Sequence, residues 1–297
     1  MTEPEAPGGN GPLVVAGDQE LHGRLERLAR EQRMVFVAGL PGTGKSLLIH
    51  QLAHLAVAAG RVVHLLQWDV ARPVFEESAA GRRYPVVDGV THGIVRKAVG
   101  LWARRALAGW ERRCAAPEHL LVGETPFVGH RLIELARPID DEAEPALAAP
   151  SCRFAIPVPS LEVRAFLEAE RARRAARPVH PREREDAPPH VLRGLWRELV
   201  EVARALGLPV PAAGDDVPYD PLVYRRTYEA LLRHRHVESI DVRTVLPTTA
   251  LSVYAFAVPH ADLAPGEAEA ESILREVEAR HPDPAALGRD IDRWWVV

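Results

Sequence analysis

The chain lacks most of the features that mark secreted, membrane-spanning or nucleic-acid-coating proteins. Its two cysteines, Cys114 and Cys152, build no disulfide framework and show no metal-ligand spacing. The thirteen histidines contain no H-E-x-x-H and no paired Cys/His pattern. No run of 18 or more apolar residues is present, so no membrane span is expected. The opening MTEPEAPGGNGP has no basic-then-apolar signal pattern and reads as a short disordered tail over residues 1–12. The net charge of -4 supplies no global positive field, so charge gives no support for nucleic-acid binding. A reduced, cytoplasmic setting is the simplest expectation. No internal repeat is visible, and the abundance of Ala, Arg and Pro carries no functional signal.

What the chain has is apolar content, 47% over 297 residues, enough to bury a full core. Apolar strand patterns alternate with helical ones. Strands are expected at 34–38, 61–68, 119–123, 153–158, 237–246 and 251–258. Helices are expected at 13–33, 93–110, 128–136, 161–177, 191–206, 221–235 and 267–280, with one more directly after the first strand. The first helix should cover a sheet edge. This alternation predicts an α/β fold with a parallel sheet flanked by helices. One nucleotide-binding domain over 13–258 is expected, with a proline-interrupted lid at about 161–189. A C-terminal extension follows at 259–297.

The stretch from Met34 to Ala59 organises the rest. An apolar strand leads into Gly39-Leu40-Pro41-Gly42-Thr43-Gly44-Lys45-Ser46, and an apolar-rich helix starting with Leu47 follows. This is G-x-x-x-x-G-K-S between strand and helix, the context a phosphate-binding loop needs. Glycines let main-chain N–H groups close on phosphate oxygens, and the helix adds its positive N-terminal end. Residues 39–47 are thus expected to hold ATP. Lys45 should reach the β- and γ-phosphates and the Ser46 hydroxyl should ligate Mg2+.

Other residues have two readings each. Asp69, where the second strand pattern stops, is either a base facing the phosphates or the cap of the next helix. Arg72 is either an anion contact or a solvent-facing helix residue. Glu124, at the end of the third strand, either orients Mg2+ through water or caps the 128–136 helix. Arg131 is either a ligand or a salt-bridge residue. The arginines near the end of the 161–177 helix either fold over phosphates as a lid or form i,i+4 pairs on a solvated face. His234 and His236 read as a surface cluster, and Trp294-Trp295 as a packing anchor.

Together GLPGTGKS at 39–46, D-V-A-R at 69–72, the strand-end Glu124-Thr125 with Arg131, and the arginine helix at 164–177 give a resemblance. Residues 34–180 resemble the small P-loop kinases of the polynucleotide-kinase and zeta-toxin-like group. That resemblance implies a P-loop NTPase-type sheet and phosphoryl transfer from ATP to a hydroxyl. It implies Asp69 as general base, Arg72 as a substrate-phosphate contact, and Arg173 and Arg177 as catalytic lid residues. Glu124 and Arg131 would line the acceptor side. The group often has Asp where Glu124 stands. Two other classes compete: an NTP hydrolase in which Glu124 activates water, and a regulatory protein that holds nucleotide and turns it over poorly. The expected partners are a nucleotide and a hydroxyl-bearing acceptor, with no membrane.

Overall fold

A computed structural model describes residues 13–87, 89–178, 180–185, 187–210, 217–246, 252 and 258–297. Six strands form one sheet in the order β5-β4-β1-β3-β2-β6, and every neighbouring pair is parallel. They are β1 (Met34–Ala38), β2 (Val62–Leu66), β3 (His119–Thr125), β4 (Cys152–Pro159), β5 (Val237–Val242) and β6 (His260–Asp262). The helices are α1 (Gln19–Glu31), α2 (Lys45–Ala58), α3 (Trp68–Glu77), α4 (Gly93–Arg113), α5 (Glu144–Leu147), α6 (Leu161–Ala176), α7 (Pro189–Ala205), α8 (Pro221–Leu231), α9 (Glu267–Arg280) and α10 (Pro284–Asp292). None of the helices among the described residues is long and apolar enough to cross a membrane.

The central strand is β1, buried at all five positions. Side chains alternate faces along a strand, and a sheet covered on both sides therefore reads as a continuous apolar run. Val35 and Val37 pack with α1 and α2, whereas Met34, Phe36 and Ala38 join the larger core with α3, α4, α7, α8 and α9. Phe36 stacks on Phe154 of β4 with ring centroids 4.9 Å apart. Side-chain oxygens cap several helices. Asp18 accepts from the Leu21 N–H, Ser160 from Val163, and Asp220 from Leu222.

The α/β layout with a parallel sheet is as the alternation of patterns predicts. Several elements differ in detail. Helix α1 lies beside α2 on one face, its apolar side shares a core with Ile240 and Val242 of the edge strand β5, and its Arg24 and Arg27 pair with Glu238 there. Strand β2 stops at Leu66, because Trp68 turns inward as the first residue of α3 and is 5% exposed. Asp69 therefore sits in the first turn of a helix, just past a strand, and not on the strand itself. The expected 128–136 helix is absent. A tight loop takes its place, followed by a single 3-10 turn at Ile133–Leu135. Residues 259–297 supply helices and also the edge strand β6, whose continuation donates from Leu263 N to Leu65 O at 2.7 Å. The expected tail at 1–12 and most of the expected strand at 251–258 lie outside the described residues. Arg235, between two histidines, is buried and binds Glu144, while His234 is exposed. Trp294 is buried and donates to Glu198 at 2.8 Å.

Candidate functional site

The chain leaves β1 at Ala38 and reaches α2 through residues 39–44. Gly42 and Gly44 adopt φ of 75° and 85°, the left-handed region where a Cβ is penalised. Gly39 has another constraint, because a Cβ there would stand 2.3 Å from the Tyr224 hydroxyl of α8. The Leu40 carbonyl points inward and accepts from the Thr43 hydroxyl at 2.8 Å and from Lys45 Nζ at 3.0 Å. The loop thus curls around its own lysine. Ser46 is exposed in the first turn of α2, and Leu47 is buried against the sheet.

Lys45 is 4% exposed, and its Nζ lies 3.3 Å from Glu124 Oε1 at the end of β3. Burial pushes the Lys45 pKa down, and the Glu124 carboxylate opposes this. The pair is positioned by register, since Val37 of β1 stands beside Glu124 of β3. Asp69 projects into the same space from α3. Asp69 is exposed to solvent as a residue, yet protein crowds its carboxylate in part. That crowding raises its pKa, and the negative charge of Glu124 raises it further; Arg72, Arg131 and Lys45 pull in the opposite direction. Arg72, one turn along α3, is paired with Glu76.

Arg131 reaches the site from an unusual loop. Phe127, His130 and Leu132 have φ of 60°, 62° and 62°, and Gly129 has 70°. Left-handed backbone at non-glycine residues costs about 1–3 kcal/mol each and persists only when surroundings enforce it. Here Phe127 and Arg131 exchange backbone hydrogen bonds of 2.9 and 3.0 Å, and Tyr228 donates to the Pro126 carbonyl at 3.1 Å. His130 is fully buried beneath the loop with its Nε2 2.7 Å from Glu134 Oε1. The Arg131 Nε donates to Val128 O at 3.0 Å. Burial lowers the Arg131 pKa, with Glu198 of α7 and Asp69 the foremost opposing charges.

Helix α6 crosses the glycine loop with Arg164 and with Arg171 of the expected arginine cluster, but not with Arg173 and Arg177. Arg164 Nη1 lies 3.3 Å from the Gly42 carbonyl, and Arg171 Nη1 would be 3.7 Å from a Cβ on Gly42. Arg173 is exposed and bonded to Glu170, and Arg177 is exposed at the helix end. Helical phase explains the correction. Positions 164 and 171 are two turns apart on one face, and 173 and 177 point elsewhere. Arg174 is turned into the protein, where it pairs with Glu170 and Glu183.

The structure therefore gathers Lys45, Asp69, Arg72, Glu124 and Arg131 at the carboxyl ends of β1 and β3, where open α/β sheets place their ligand crevices. Of the arginines expected near the end of α6 it brings Arg171 to the loop, and it adds Arg164, Glu198 and Tyr224, which the residue pattern did not single out. Arg164 and Arg171 carry a visible signal, a seven-residue spacing on one helix. Glu198 and Tyr224 sit within ordinary amphipathic helices and carry none. Chemically, the site offers a glycine-lined cradle, a buried ammonium, a carboxylate pair and converging guanidiniums. Compared with family models, with curated proteins and with solved structures, the chain matches none.

Proposed function

We propose that this chain is a P-loop phosphotransferase that binds ATP with Mg2+ and transfers the γ-phosphoryl group to a hydroxyl of a small molecule or a nucleic-acid end. The observation that carries the reading is Asp69, a carboxyl with a raised pKa beside the Lys45–Glu124 pair at the mouth of the glycine loop. A carboxylate at this place suits proton abstraction from a hydroxyl. The residues fit a triphosphate. Gly42 and Gly44 hold the left-handed backbone that curls the loop, and Lys45 is the buried cation at its floor. Ser46 and Glu124 would hold Mg2+, which when bound neutralises charge on the phosphoryl oxygens.

In this reading Asp69 takes the acceptor's proton, the acceptor oxygen forms the new bond to phosphorus, and the nucleoside diphosphate leaves. Lys45 and the loop N–H groups bind the phosphates. Arg131 and Arg72 orient the acceptor, and Arg164 and Arg171 cover the loop from α6. Two free thiols accord with a cytoplasmic setting as part of the same proposal.

A hydrolase is the second reading, favoured by the position of Glu124, 3.3 Å from Lys45. Phosphate release and phosphoryl transfer to a pool of hydroxyl acceptors separate the two. Under the kinase reading Asp69→Asn loses about 10²–10⁴-fold in transfer with nucleotide affinity little changed. If Asp69→Asn keeps full activity while Glu124→Gln loses it, the hydrolase reading replaces the kinase.

A further inference from the structure

On the face of the sheet covered by α4, at the end away from the glycine loop, three side chains from distant segments converge. His64 lies in β2, Cys114 follows the last residue of α4, and His119 opens β3. His64 Nε2 and His119 Nδ1 are 3.0 Å apart, and one potential ligand atom from each of the three residues lies within 4.8 Å of the others. We propose that His64, Cys114 and His119 form a binding site for one borderline-soft divalent cation of the zinc class, separate from the nucleotide site and independent of the kinase reading.

The donor set carries the chemical argument. Two imidazoles and a thiolate suit zinc and its soft neighbours, whereas magnesium and calcium take oxygen ligands. Zinc bonds of about 2.0–2.1 Å to nitrogen and 2.3 Å to sulfur put tetrahedral ligands roughly 3.3–3.7 Å apart. The two imidazole nitrogens, 3.0 Å apart, open by a few tenths of an ångström, and no pair has to close by more than about 1.5 Å, which rotation about χ angles supplies. The His64–His119 hydrogen bond then breaks, the Cys114 thiol releases its proton to solvent, and each imidazole presents a lone pair to the cation.

The surroundings are built to hold the three in place. Arg33, just before β1, donates to the carbonyls of Cys114 at 2.6 Å and His119 at 3.2 Å, and also to that of Ala116. It therefore fixes both ends of the turn that carries two of the three ligands. Its guanidinium stacks over Trp110 at 5.0 Å and pairs with Glu111 at 3.3 Å. Trp110 in turn meets His64 edge-on, with centroids 5.7 Å apart. Arg33 and Arg113 bring positive charge near His64, and the thiolate formed on binding offsets part of it. His64, Cys114 and Trp110 also line an open groove of about 910 Å3. A three-ligand cation there keeps its fourth position toward water, the arrangement of an exchangeable or reactive zinc rather than a closed structural one.

Separation from the nucleotide site follows from the strand itself. His119 begins β3 and Glu124 is its sixth residue, so about 17 Å of extended chain lies between them at roughly 3.3 Å per residue. Cys152, the other cysteine, is fully buried and does not compete.

The test uses the full-length protein stripped with chelator and titrated with Co2+ alone and then Zn2+ alone. One cation per chain is expected, with a thiolate-to-cobalt charge-transfer band that Zn2+ abolishes. X-ray absorption of the zinc-loaded wild type should show one sulfur at about 2.3 Å and two nitrogens at about 2.0–2.1 Å. This reading needs no variant to fold. Cys114→Ser should erase the band, and Cys114→Ser and His64→Gln should each weaken Zn2+ binding by more than the ~10–100-fold that even outer-shell partners command. A shell without sulfur, no cobalt band, or unchanged Zn2+ affinity in folded Cys114→Ser overturns the proposal.

Discussion

Gly39→Ala is the sharpest probe of how the loop is seated on the protein beneath it. The added Cβ would lie 2.3 Å from the Tyr224 hydroxyl and 3.0 Å from Thr43 Oγ1. Comfortable heavy-atom contact begins near ~3.5 Å, so the tyrosine must retreat by about 1 Å. It has nowhere to go, being 0% exposed and packed against Tyr219 and Tyr228. Overpacking of this kind costs about 1–3 kcal/mol, and the upper half of that range is expected here. The Tyr224 hydroxyl lies near Thr43 and Leu40 but completes no hydrogen bond, and burial pushes its pKa up to about 12. Tyr224→Phe alone should therefore be nearly neutral, since it removes an unpaired buried group. The double variant should recover about 1 kcal/mol or more of the alanine's cost, because the phenylalanine ring leaves room for the methyl. Urea denaturation of the four proteins supplies the cycle. Additive effects, within about 0.3–0.5 kcal/mol, would refute the idea that Tyr224 backs the loop at Gly39.

Lys45→Ala should abolish nucleotide-dependent turnover while circular dichroism stays native; unchanged ATP–Mg2+ affinity would remove the basis of the functional reading. Acid should strip stability through Glu144. Its burial favours the neutral form, but hydrogen bonds from Arg235, Arg104 and the Ile139 N–H outweigh that and hold its pKa at about 2. A depressed folded-state value means the stabilisation is complete above the ordinary glutamate range and fades as pH falls from there toward 2. Thermal melts across that window should show a shallower decline in Glu144→Gln than in wild type, and parallel declines would contradict the assignment.

The strand, glycine loop and helix over 34–58 were legible because their signals are local: an apolar run, a fixed glycine spacing, a helical period. The 126–132 loop was not. Val128, Leu132, Ile133, Leu135 and Ala136 mimic a helical stripe, and nothing in residue type announces that Phe127, His130 and Leu132 take left-handed angles. The loop is held by Tyr228, a partner 102 residues away, and by the buried His130–Glu134 pair, whose burial depends on the core around it. Asp69 is legible as the residue just past the second strand, but the start of α3 at Trp68 is not, since the inward turn of Trp68 depends on the core it enters. Arginine phase on α6 is readable in the seven-residue spacing of Arg164 and Arg171, whereas the clustering of arginines at the helix end also draws in Arg173 and Arg177, which face solvent. The convergence of His64, Cys114 and His119 was beyond any spacing rule, because strand pairing brings two of them together and a helix end supplies the third.

The edge strand β6 also sets the order in which the chain finishes itself. Val63 of β2 stands in register with a partner as distant in sequence as His260. During synthesis, β1 to β4 emerge and find one another while the outer side of β2 still faces water as an open row of amide and carbonyl groups. Pairing over such a separation is slow, because the loop must close before the contact returns anything. For that interval β2 is a template for any passing strand, another copy of this chain included. The hazard is greatest for chains that stall before residue 260, and an early stop there would leave a glycine-loop half that is complete and an edge that is not.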